Sequence, residues 1–225
     1  MKRSTVFALI AAAVIVGAVI LLVSLKDDYA GAAPGGEPET AAAINADDLL
    51  APGPLPEQVL GDPNAPVTIV EYASLSCSHC REFHEKTFPE VKKRYIDTGK
   101  VRFIFRDFPL DQYATAGSMM ARCAGEGKYF PVIAAFFAQQ QGLLTAQDPF
   151  EWLQNFGKQV GFTKESLEAC LSNQELMDNV IAVRQRASEK FGVSSTPTFF
   201  INGKVVRGGI TIEEFEKEIE PLVKS

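Results

Sequence analysis

Val67-Thr-Ile-Val-Glu-Tyr-Ala73 runs directly into Ser74-Leu-Ser-Cys77-Ser-His-Cys80 and then REFHEKTFPEVKKRY. The first seven residues are apolar and β-branched, bounded by Pro66 and Ser74, and read as a buried strand. After the cysteines, Phe83, Thr87, Val91 and Tyr95 recur on one helical face, which predicts a helix from about 78 to 98, ending near Gly99 and kinked at Pro89. Cys77 therefore stands where a strand ends and a helix begins. Unpaired backbone N–H groups and the helix dipole stabilise an anion there, so the Cys77 thiolate is favoured. An offset of three residues in the first helical turn brings Cys80 within disulfide reach. His79, between the two sulfurs, could donate a hydrogen bond or positive charge to the thiolate, making reduced Cys77 a good leaving group.

A zinc site is the competing reading, with Cys77, His79, Cys80 and His84 as possible ligands. But His79 lies inside the pair and cannot easily turn to the same ion, and no second Cys-x-x-Cys is present downstream. A purely structural disulfide would close so short a loop that it restrained little of the unfolded chain. Redox chemistry is the reading that remains. His84, one turn further on, reads as an ordinary helix residue.

What a cysteine does depends on its compartment. Met1-Lys2-Arg3 precedes Thr5–Leu25, which carries no charge and, at ~1.5 Å per residue, spans about 32 Å, enough for a hydrocarbon core. Lys2 and Arg3 would keep the N-terminus in the cytoplasm and send the rest across. Residues 1–26 thus read as an uncleaved anchor, with a cleaved signal peptide ending near Ala30-Gly31-Ala32 as the alternative. Residues 27–62, rich in Ala, Pro, Gly and acids, read as a semi-extended linker without a dimerising heptad. Residues 63–225 are long enough for one domain with its own core. The formal charge of −6 comes with no basic run, which argues against a nucleic-acid partner.

Along that domain, Val101–Arg106 reads as a second strand, parallel to the first because a helix joins them. Residues 112–191 contain no convincing strand and read as helices broken at Gly125-Glu-Gly127, Gly142, Asp148-Pro149 and Gly161. Thr198–Ile201 and Lys204–Val206 flank Asn202-Gly203, a tight hairpin. Ile212–Val223 is an amphipathic helix.

The strand–CSHC–helix segment, the helical insertion and Ser195-Thr196-Pro197-Thr198 together resemble the DsbA family of thioredoxin-fold disulfide oxidoreductases, over roughly Gly61 to Ser225. The resemblance implies an α/β thioredoxin fold with a helical insertion. It also implies Cys77 as nucleophile, Cys80 as resolving cysteine, and a cis Pro197 facing them with Thr196 placed to hold an extended substrate. Glu71, in the buried strand on the face opposite Tyr72, corresponds to the family's acid that assists proton movement from the buried cysteine; a solvated or salt-bridged strand-end glutamate is the other reading. Some relatives carry a second disulfide in the helical domain, which would join Cys123 to Cys170; two unpaired buried thiols are the alternative. The family usually has proline and valine where this chain has Ser78 and Thr196, and both positions bear on the direction of electron flow.

The resemblance further implies a monomeric oxidase on the periplasmic side of the inner membrane. It would donate disulfides to reduced exported proteins, be reoxidised by a membrane partner of DsbB type, and need neither metal nor organic cofactor. A reductase or isomerase, or a non-catalytic chaperone or metal-binding module, are the rival functions.

Overall fold

The computed structural model describes residues 44–223. The anchor expected over residues 1–26 lies outside them; among the described residues no helix is long and apolar enough to cross a membrane.

The chain order is α1 (Ala46–Leu50), β1 (Gln58–Leu60), β2 (Val67–Ala73), a helical stretch from Ser78 to Ile96, and β3 (Val101–Asp107). Five helices come next: α4 (Gln112–Cys123), α5 (Tyr129–Leu144), α6 (Pro149–Gln159), α7 (Lys164–Leu171) and α8 (Gln174–Phe191). The chain ends in the hairpin β4 (Thr198–Ile201) and β5 (Lys204–Arg207) and the helix α9 (Ile212–Val223). The sheet runs β1-β3-β2-β4-β5. β2 and β3 are parallel and the other pairs antiparallel. At the hairpin tip Asn202 and Gly203 both have positive φ, 44° and 87°, as a primed two-residue turn requires.

Strand alternation sends β2 to two separate cores. Val67, Ile69 and Ala73 pack with Phe103 and Phe105 of β3, the helical stretch, the insertion and α9. Val70 and Tyr72 pack on the other face with Ile104, Phe200, and Val183, Ala187 and Phe191 of α8. Glu71 is in register with the first set and so points beneath the cysteines.

The Ser78–Ile96 stretch alternates α-helix (α2, Ser78–Glu82; α3, Phe88–Val91) with two π-helical turns, Phe83–Thr87 and Lys92–Ile96. A repeat of four residues on an ideal α-helix drifts by about 40° at each step. The wider π turns, bonded Phe88 N–H to Phe83 O and Asp97 N–H to Lys92 O, absorb that drift. Phe83, Thr87, Val91 and Tyr95 consequently all stay buried. Where a kink is expected at Pro89, the chain passes from the π turn ending at Thr87 into the short α3, which has the proline in its first turn.

Two expectations need correction. Gly142 does not end a helix; it lies inside α5, where an added Cβ would meet Trp152 Nε1 at 2.9 Å. It admits the indole, which stacks on Phe156 with ring centroids 5.2 Å apart. Nor does the linker extend to residue 62. Three arginines hold residues 48–57 against the domain. Arg186 donates to Asp48 O, Ala51 O and Pro52 O. Arg106 donates to Leu49 O and the Glu57 carboxylate, and Arg122 to Pro56 O. An Ala/Pro-rich composition signals little burial of side chains, but here the backbone carbonyls are the groups being held.

The insertion packs closely on the redox end of the sheet through Gly117 of α4. A Cβ there would sit 2.6 Å from Phe136 Cε2 and 2.7 Å from Leu75 Cδ1. Gly117→Ala is expected to destabilise the fold by roughly 1–3 kcal/mol through overpacking, despite alanine's better helix propensity. Denaturant titration checks this, and an unchanged or higher midpoint would show that the packing yields.

Candidate functional site: a dithiol at a helix start

The end of β2 enters a compact turn. The Cys77 N–H donates to Ser74 O at 3.1 Å, and the Ser76 and Leu110 N–H groups donate to Ser74 Oγ. From below, Gln140 of α5, fully buried, donates through Nε2 to Leu75 O at 2.7 Å and to Cys77 O at 3.0 Å. The insertion thereby holds the loop that carries the first cysteine.

Cys77 caps α2: its sulfur accepts from the Cys80 N–H at 3.4 Å. Both cysteines are free thiols; Cys77 is 9 % exposed and Cys80 is sealed at 0 %. Opposite them the Thr196–Pro197 bond is cis, in agreement with the resemblance, and the Cys77 thiol donates to Thr196 O at 3.3 Å.

This environment separates the two thiols. Cys77 is lowered to about 5, chiefly by a hydrogen bond from the Cys80 thiol. The Thr196 side chain and the backbone N–H groups of Cys80 and His79 add to this, against the cost of burial. The Thr196 hydroxyl is buried without a hydrogen-bond partner and is among the groups that lower Cys77. Cys80 is pushed the other way, well above an ordinary thiol, first by burial, then by its hydrogen bond to Cys77 and the charge of Glu71.

The expected side-chain role of His79 is not seen. Its ring is exposed near Gly209, beside a depression of about 420 Å³ also lined by Phe83 and Ile210, and His79 acts on Cys77 through its backbone. Glu71 is fully buried, so it is not solvated, but it is partnered by His84 as the salt-bridged alternative has it. Its Oε2 meets His84 Nε2 at 2.8 Å, so the histidine that reads as ordinary in the sequence is part of the site's floor. Periodicity puts His84 on the helix, but the π turn that carries it is not legible in residue types. Gln140 belongs to no motif; a glutamine in an apolar helical run, FFAQQQGLL, is the signal that points to it. Cys123 and Cys170, 47 positions apart in the insertion, are bonded, with Cα atoms 6.1 Å apart. Among the described residues no cluster of His, Cys, Asp and Glu is arranged to hold a metal.

Comparison with known proteins adds an independent line. Residues 55–221 match the family model described as thioredoxin. A Rickettsia bellii protein named as a protein-disulfide oxidoreductase is 32 % identical over 148 residues, 65 % of this chain and 57 % of its own length. Disulfide bond formation protein D of Bacillus subtilis is 28 % identical over 75 % of this chain and 78 % of its own. The chain thus spans less than two thirds of the rickettsial relative. Among solved structures, α-DsbA1 of Wolbachia pipientis superposes with a TM-score of 0.72 at 31 % identity, covering 80 % of this chain and 96 % of that one.

Proposed function

Because the chain belongs to the thioredoxin family and is DsbA-like within it, we propose that it is a thiol–disulfide oxidoreductase that donates disulfides to exported proteins through Cys77 and Cys80. One observation carries this reading: Cys77 starts a helix with its sulfur on the Cys80 N–H at 3.4 Å and on Thr196 O beside the cis bond, and is lowered to about 5, while Cys80 is fully buried and raised. A substrate thiolate attacks Cys77 of the oxidised pair, and Cys80 leaves. A second substrate thiol then displaces Cys77, whose stable thiolate makes it a good leaving group. A disulfide whose reduced form is stabilised is a strong oxidant. The Thr196 hydroxyl belongs on the same side of that balance, since it lowers Cys77 further. Thr196, beside the cis bond, offers backbone groups to an extended substrate in the manner of an added strand.

The same reading places the domain outside the cytoplasm, on the periplasmic side of the inner membrane or free in the periplasm. It acts there as a monomer on reduced exported proteins and is returned to the disulfide by a membrane partner of DsbB type.

Incubation of the oxidised protein with a reduced, unfolded protein bearing paired cysteines tests the direction. Rapid oxidation with weak repair of scrambled disulfides is expected. Efficient repair, or a pair as reducing as a thioredoxin, would reverse the assigned direction.

A further inference from the structure

Beneath the cysteines the protein keeps an acid and an imidazole in contact, buried at their side chains to 0 % and 5 % exposure, with His84 Nε2 at 2.8 Å from Glu71 Oε2. The rings around His84 are uncharged: Phe137 stacks on it at 4.5 Å, and Phe83, Phe88 and Phe105 lie at 4.9–5.7 Å. The second carboxyl oxygen, Oε1, is buried with no hydrogen-bond partner. Leaving such an atom open is unfavourable unless something else occupies it part of the time.

The other titratable groups near Glu71 are accounted for. The redox helix contributes Cys77 and Cys80, and the Glu71 charge raises Cys80. The insertion contributes Tyr129, also raised in part by Glu71. Asp107 of β3 is occupied by the Tyr129 hydroxyl and by Arg122.

Taking Glu71 as the acid that exchanges a proton with Cys80, as the resemblance implies, we propose that His84 is the positioning residue of that exchange: it holds Oε2 of Glu71 and leaves Oε1 open for the proton. The inference rests on reading the pair as a redox centre. When Cys80 resolves a mixed disulfide at Cys77, its proton passes to Oε1 and its electron pair forms the Cys80–Cys77 bond. The departing sulfur leaves as thiolate with the pair of the broken bond. In the reverse direction a substrate thiolate attacks Cys77, Cys80 departs as thiolate, and the Glu71 carboxyl returns the proton. An imidazole nitrogen suits this place because it can donate to a carboxylate or accept from a carboxylic acid, whereas lysine and arginine only donate.

The test uses the full chain loaded at Cys77 with a chromogenic aromatic thiol as a mixed disulfide, whose release reports attack by Cys80. His84→Phe fits the aromatic surroundings without any hydrogen bond; His84→Gln keeps a group that can both donate and accept. Release from His84→Phe should slow by about 10- to 100-fold with an altered pH profile, while alkylation of Cys77 in the reduced variant stays within about a factor of two. His84→Gln should recover much of the rate. Glu71→Gln should slow release as His84→Phe does, and the double variant should be no slower than either. Should His84→Phe fail to fold, Glu71→Gln against His84→Gln decides. A variant profile that superimposes on the unmodified protein overturns the role of His84, whereas absence of release from the unmodified protein overturns the redox reading itself.

Discussion

Replacing Cys77 with serine should abolish disulfide transfer, a loss on the order of 10⁴-fold or more, because a serine hydroxyl can neither carry the mixed disulfide nor leave as a stable anion. The reduced unmodified protein should alkylate at Cys77 with a midpoint near pH 5, set first by the Cys80 thiol and then by Thr196 and two backbone N–H groups. Cys80, buried and raised, should react only on unfolding. The linked stability has a definite sign. A thiol depressed in the folded state stabilises the reduced protein fully above the unfolded thiol value of about 8.5. That contribution declines as pH falls and is gone below about 5. Melting of reduced and oxidised protein compared across pH should therefore shift in favour of the oxidised form as the medium is acidified. A gap independent of pH, or residual transfer by Cys77→Ser, would remove Cys77 from the centre of the chemistry.

Arg122→Met should be the most damaging substitution outside the dithiol, at about 3–5 kcal/mol, the usual cost of leaving a buried charge without its partner. Asp107 is fully buried at the end of β3, and Arg122 meets its Oδ2 at 2.6–2.7 Å through Nη2 and Nε. Tyr129 alone would remain, donating to Oδ1 at 3.1 Å. The substitution also releases Pro56 O. Asp107→Asn combined with Arg122→Met should recover part of the loss, since no unpaired charge is then left inside. Denaturant unfolding measures both, and a single-variant cost below about 1 kcal/mol would show that solvent reaches the carboxylate.

The parts of this protein that can be read from residue types are those with strong local rules. A β-branched run, a Cys-x-x-Cys at a helix start and Asn-Gly between apolar runs each restrict the backbone strongly. The family resemblance supplies the cis bond before Pro197 and the Cys123–Cys170 pairing, which no local rule could. What stays hidden depends on neighbours brought in by the fold. His84 meets Glu71 from within a π turn; Gln140 reaches Cys77 O from an element more than 60 residues away; and carbonyls at residues 48–56 look like linker until arginines from β3, α4 and α8 are placed around them. His79 errs in the other direction: adjacency in sequence suggests a side-chain contact, yet the ring turns outward.

The arginine-held segment also has a mechanical meaning. Tension applied at the residue-44 end would first load the carbonyl grips of Arg186 and Arg106 on α1 and the turn after it, then Arg122 at Pro56, and only afterwards the β1–β3 ladder. Arg106 stands in β3 and also donates to Tyr72 Oη of β2, so its share of the load passes into the sheet, whereas Arg186 and Arg122 pass theirs to α8 and α4. A tug on the leading end would therefore be divided between helices of the insertion and the sheet, and would not fall on the β1–β3 ladder alone.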